Sequence, residues 1–151
     1  YVAEAYKSVL SGLYEGEGLE VTGHLYTFNG LRQVNITSGD ALRMTGTGTA
    51  VYPAVITTAN DLEFYEGRLV EITGTLHSTV ISTEFYIEDD YGTLNIYIGS
   101  SPGLSSGHVM SYDNATVRVV GVLAQYDQQP PYDDHYELWP RYFSDIVPAR
   151  K

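Results

Sequence analysis

Four histidines, His24, His77, His108 and His135, are the side chains of this 151-residue sequence best suited to proton transfer or metal ligation, and each stands alone. None belongs to an H-x-x-x-H or H-E-x-x-H run, so no two ligands share one helix face. The absence of cysteine removes thiolate nucleophiles, disulfides and cysteine-built zinc sites. There is also no phosphate-cradling G-x-x-x-x-G-K loop and no dinucleotide fingerprint after a strand. The sequence therefore predicts a protein that is not an enzyme and needs no cofactor. Two acidic groups remain as weak calcium candidates: Asp89 and Asp90 beside Glu88, and Asp127 with Asp133 and Asp134. Calcium takes about 6–8 converging oxygens, and no D-x-D-x-D-G register is present, so solvated turns are the better reading of both.

The aromatic residues carry more information. In Phe85–Glu88 and Leu94–Ile98, period-two alternation sends Phe85, Ile87, Leu94, Ile96 and Ile98 to one side. Glu84, Tyr86, Glu88, Thr93, Asn95 and Tyr97 then share the other. Rings on such a face can stack on bases or sugars. Tyr126, Tyr132, Tyr136 and Trp139, from the last long loop and its flanking strands, could rim the same groove. The competing expectation is that these rings cover a barrel or pack on a neighbouring unit.

The elements that would position them are strands. Val2, Ala5, Tyr6, Val9, Leu10 and Leu13 recur at spacings of three and four, which predicts a short amphipathic helix ended by Gly12 or Gly16. Residues 18–36 read as a β-hairpin around Asn29-Gly30, a pair suited to a turn needing positive φ at both positions. Residues 38–58, with the run Thr45-Gly46-Thr47-Gly48-Thr49 and with Pro53, read as an extended connector. A short turn is expected at 61–65. Five strands follow, at 69–76, 85–88, 94–98, 116–123 and 136–140, with a loop or poor helix at 99–113. That order predicts an all-β, five-stranded Greek-key barrel of the oligonucleotide/oligosaccharide-binding (OB) type over residues 53–151. Tyr86 and Tyr97 would lie on its second and third strands, where OB folds usually grip bases or sugars.

Charge narrows the ligand. Nineteen acidic residues against eight basic ones give a net charge of −11. The basic residues, Lys7, Arg32, Arg43, Arg68, Arg118, Arg141, Arg150 and Lys151, form no stripe, and the overall field repels a phosphate backbone. Such a surface suits an extracellular or salt-adapted protein as well as plain solubility. No run approaches the ~18 apolar residues of a membrane span, so no membrane insertion is expected. The start at Tyr1 carries neither a methionine nor a signal-like stretch, and we expect a piece of a longer chain. Asn35-Ile36-Thr37 and Asn114-Ala115-Thr116 would be glycan acceptors only in a eukaryotic secretory setting.

Three segments share a pattern: Leu19–Leu25, Val70–Leu76 and Val117–Leu123, each with a central glycine at Gly23, Gly74 or Gly121. The first and fourth strands of an OB barrel coil sharply, which gives a mid-strand glycine a mechanical cause. Residues 1–52 then read as a helix plus hairpin, the back half of an upstream OB unit; the rival arrangement is one enlarged barrel with the hairpin packed on it. A lone half-barrel leaves strand edges open, so residues 1–52 are also a candidate homodimer contact.

The run Tyr65-Glu66-Gly67-Arg68-Leu69-Val70-Glu71-Ile72-Thr73-Gly74, followed by Phe85-Tyr86-Ile87-Glu88-Asp89 and Gly92, resembles the tandem OB-like modules of large secreted or cell-surface bacterial proteins, often beside nuclease domains. The resemblance is best over residues 53–123. It implies a non-catalytic accessory module of an exported protein, with neighbouring domains of the same chain as partners. Carbohydrate and single-stranded nucleic acid are the ligand classes it leaves open, and a purely structural spacer is the third reading.

Overall fold

The computed structural model describes residues 12–37, 41–81, 83–99 and 104–149. Among these, the chain forms strands β1 (Glu17–Val21), β2 (His24–Phe28), β3 (Leu31–Asn35), β4 (Leu42–Thr47), β5 (Ala54–Val55), β6 (Leu69–Ser78), β7 (Glu84–Glu88) and β8 (Thr93–Tyr97). A short helix α1 (Ser106–Met110) precedes β9 (Thr116–Gln125), β10 (Tyr136–Trp139) and β11 (Ile146–Pro148). Two compact units result, one of Tyr1–Phe28 and Arg32–Tyr52, the other of Asn29–Leu31 and Pro53–Lys151.

The second unit holds a closed barrel. β6, β7 and β8 form an antiparallel meander, β8 pairs in parallel with β10, and β10 pairs antiparallel with β9. β9 then returns antiparallel to β6, closing five strands into the OB topology the element order predicted. The cause is a recurring alternation, broken by glycine at Gly74 and Gly121 and, in β9, by burial on both faces. Val70, Ile72 and Leu76 of β6, Phe85 and Ile87 of β7, Leu94 and Ile96 of β8, Val117, Val119 and Leu123 of β9, and Leu138 of β10 all point inward and are buried. At about 1.5–3 kcal/mol per fully buried apolar side chain, this pattern is what fixes the register.

Gly74 and Gly121 lie where their strands change partners. β6 runs against β9 from Leu69 to Thr75 and against β7 from Thr75 onward. β9 runs against β6 up to Val122 and against β10 from Val122 to Gln125. At both hand-overs a neighbouring backbone comes too close for any side chain: a Cβ on Gly121 would lie 2.8 Å from the Trp139 carbonyl, and one on Gly74 would meet Glu88. The sharp coil expected of these strands is therefore built on glycine.

The segment 99–113 resolves in part as α1. Ser105 caps it, its hydroxyl accepting from His108 N, and Val109 is fully buried in the barrel core beside Leu104. The short edge strand β5 pairs in parallel with β6 just after Pro53, and β11 lies against the outer edge of β9. Residues 62–65 form a 3-10 turn, as expected.

The first unit departs from expectation. The predicted hairpin exists as β2 and β3, with Asn29 at φ 49° and Gly30 at φ 86° forming its turn. Residues 17–21 are not part of it. They pair instead with β4, the glycine- and threonine-rich stretch that sequence reading assigned to a connector. Gly18 sits opposite Gly46, and a Cβ on Gly18 would lie 2.6 Å from Thr45 Oγ1, so small residues favour this close pairing. Gly23, the first copy of the repeated glycine, falls between β1 and β2 rather than within a strand. The predicted N-terminal helix falls mostly on residues 1–11, outside the described residues.

Candidate ligand-binding face

The outward positions of the barrel strands line up across the sheet. His77 of β6 is paired with Tyr86 of β7, Tyr86 with Asn95 of β8, and Asn95 with Glu137 of β10. Each sits next to buried residues of the opposite parity, which leaves it no choice but the outer surface. A second row begins with Glu84 opposite Tyr97, and Trp139 stands beside Tyr97 on the parallel neighbour.

Two ring pairs form on this face. His77 and Tyr86 stack with centroids 4.7 Å apart and planes 20° from parallel. Tyr97 and Trp139 meet at 5.6 Å and 47°, an angled corner rather than a flat platform. Asn95 lies exposed between the pairs. The Trp139 indole N–H donates to Glu137 Oε2 at 3.0 Å, fixing the ring. Beside Tyr97, a hollow of about 100 Å³ is lined by Thr79, Glu84, Asn95, Tyr97 and Glu137.

The face is acidic. Glu84 and Glu88 are exposed and Glu137 is half-buried. His77 Nε2 lies 3.3 Å from Glu88 Oε2, within ion-pair distance but not aligned as a hydrogen bond. The described arginines of the second unit are engaged elsewhere. Arg118 pairs with Glu71 at 2.8 Å, Arg141 with Asp145 at 3.1 Å, and Arg68 lies over the rings of Phe64 and Tyr65.

Of the residues singled out from sequence, Tyr86, Asn95, Tyr97 and Trp139 are brought together. Tyr126 and Tyr132 lie outside the two ring pairs, on the β9–β10 loop. That loop is pinned by the buried Gln125, whose amide donates to the carbonyls of Tyr132 at 2.7 Å and Asp134 at 3.0 Å. Tyr136 does not rim the groove. It shares the parity of Leu138, packs against the core, and its hydroxyl donates to Glu63 Oε2 at 2.8 Å. Burial and the Glu63 carboxylate together push its hydroxyl well above the ordinary tyrosine range. Sequence reading missed His77 and Glu137. The signal for His77 was available: period two carried through Gly74 puts Thr73, Thr75 and His77 on the outer face.

Three of the candidate calcium ligands, Asp89, Asp127 and Asp134, accept hydrogen bonds within the fold. Asp89 accepts from Thr58 N at 2.7 Å, the Thr58 hydroxyl, Tyr91 N at 2.9 Å and Gly92 N at 3.1 Å. Partial burial opposes its charge, but these donors outweigh burial and hold its carboxyl below the usual aspartate value. Asp127 is buried and accepts from Gln129 N at 3.0 Å, and Asp134 accepts from His135 N at 2.7 Å. Asp90 and Asp133 lie at the surface. Among the described residues, no three His, Asp or Glu side chains gather as a metal site requires. No described helix is long and apolar enough to cross a membrane.

The face and fold define an OB-type barrel with an aromatic, acidic outer surface. No protein family matches the sequence, and no curated protein does. Among solved structures, the hypothetical protein ygiW from E. coli is similar at 17% identity and a TM-score of 0.45, over 68% of this chain and 100% of that one. A putative aspartyl-tRNA synthetase from Leishmania major Friedlin is similar at 12% identity and a TM-score of 0.47, over 70% of this chain and 22% of that one. Both likenesses are weak, and the assignment of the fold rests on the strand pairing.

Proposed function

We propose that this chain is a non-catalytic OB-like module of an exported multidomain protein, which positions neighbouring domains and binds a ligand of little or no negative charge on the outer face of β7, β8 and β10. The observation that carries the binding role is the pair of ring contacts, His77–Tyr86 and Tyr97–Trp139, flanking an exposed Asn95. Stacking on exposed rings is worth roughly 1–3 kcal/mol per contact and tolerates many ligands. Glu84, Glu88 and Glu137 discriminate among them, because a phosphate here would meet carboxylates, and the described arginines of the second unit are held elsewhere. The exported context is supported by the motif of residues 65–92 and by the net charge of −11.

The test is a fluorescence titration of Trp139 with neutral oligosaccharides and with single-stranded DNA at low and high salt. Quenching by a ligand without phosphate, insensitive to salt for a neutral one, is the expected result. Binding of DNA that falls steeply with salt would establish a nucleic-acid accessory domain instead. No response to any ligand class at millimolar concentration leaves a structural spacer.

A further inference from the structure

Resting on that reading of the face, we infer that its ligand is cationic: an arginine-bearing segment of a protein partner, whose guanidinium seats in the hollow beside Tyr97. Three features converge there. The hollow is lined by two carboxylates, Glu84 and Glu137, together with Asn95 and Tyr97, so a cation seated there meets two negative charges. Tyr97 lines the hollow, and Trp139 meets Tyr97 at 5.6 Å and 47°, an angled corner rather than a broad flat plane. No described arginine of the second unit reaches this site, since Arg68, Arg118 and Arg141 are each held elsewhere.

The chemistry of a guanidinium answers each of these features. It is planar and permanently charged, stacks on aromatic faces, and presents a fork that meets carboxylates in two hydrogen bonds. Glu137 is already oriented for this, because the Trp139 indole holds its Oε2 and leaves Oε1 to accept. Asn95, exposed between the ring pairs, offers an amide to the backbone of the bound segment. The net charge of −11 steers a basic partner toward the module and keeps acidic ones away.

The experiment compares a short Gly/Ser peptide carrying arginine with the same peptide carrying citrulline, which keeps the shape and loses the charge. Trp139 fluorescence is read at two salt concentrations. We expect the arginine peptide to bind about tenfold more tightly than the citrulline one and to weaken with salt. We expect Glu84→Gln combined with Glu137→Gln to lower arginine-peptide affinity by about the same factor, with an unchanged circular dichroism spectrum. Equal binding of the two peptides overturns the inference. So does binding of a neutral oligosaccharide, or of a chitosan oligomer, without binding of the arginine peptide; in those cases the face still binds and only the partner is wrong. Silence toward all of these probes removes the binding face itself, and with it the inference.

Discussion

The carbonyl group of Glu88 occupies the space a side chain on Gly74 would need, with the carbonyl carbon 2.9 Å from where a Cβ would stand. Glu88 ends β7, and Gly74 is the residue before β6 leaves β9 and takes up β7. The contact is thus the point at which a flat pair of strands becomes a barrel wall. Gly74→Ala is expected to force the two backbones apart and cost about 2–3 kcal/mol, seen as a lowered urea midpoint with little change in slope. A variant as stable as the parent would show that β6 does not coil there.

Glycine in α1 carries the opposite expectation. Gly107 has nothing within 4 Å of an added Cβ and occupies a helical position between Ser106 and His108. A methyl there lowers the entropy of the unfolded chain and meets no neighbour. Gly107→Ala should therefore raise stability by about 0.5–1 kcal/mol, and thermal unfolding of the two proteins side by side decides the sign.

Acid sensitivity should trace in part to Asp89. Its carboxyl is held below the ordinary value by the Thr58, Tyr91 and Gly92 donors, against an opposing push from burial. A group whose folded pKa is depressed adds stability that is complete above the unfolded value, about 3.9 for aspartate, and is lost as pH falls through the lower folded one. Asp89→Asn removes that titration. The parent should accordingly lose more stability than the variant between pH about 7 and pH about 3, by urea midpoints at each pH. Parallel losses would mean that the Thr58–Asp89 contact does not respond to ionisation.

The barrel was legible because its signal is repeated. Leu94, Ile96 and Ile98 each sit two residues apart and each is buried, and Val117, Val119 and Leu123 keep the same parity across Gly121 and are buried too. A single-residue error in reading any of these strands would have conflicted with the next. β4 was not legible, because Thr45, Gly46 and Thr47 have no apolar side to reveal a face, and their strand exists through close backbone pairing with Gly18. The site was half legible. Tyr86, Asn95 and Tyr97 follow from alternation within one hairpin, whereas His77 joins them only through the register between β6 and β7. Tyr136 and Trp139 are three residues apart in one strand, so period two alone places them on opposite faces; grouping both at the groove ignored that rule.

The last turn of the chain offers a test of how the C-terminal edge is fastened. Asp145 is buried and its carboxylate accepts from Arg141 Nε at 3.1 Å, Arg141 Nη2 at 3.1 Å, and the amides of Arg141 at 2.9 Å and Tyr142 at 3.2 Å. It thereby folds residues 141–145 into a tight turn that delivers the fully buried Ile146 opposite Val119 of β9. Removing the carboxylate takes the acceptor from two backbone amides and from a guanidinium whose side chain is only 32% exposed. Asp145→Ala should cost about 2–3 kcal/mol, less than the roughly 3–5 kcal/mol for breaking a fully buried pair, because Arg141 still reaches water. Asp145→Asn retains an acceptor for the amides but not the charge, and should lie between the parent and the alanine variant. Hydrogen exchange localises the effect: the β11 amides should exchange faster in Asp145→Ala while those of β7 and β8 change little. Uniform acceleration across all strands would instead make the Arg141–Asp145 clip part of the barrel's global stability rather than a fastening for its edge.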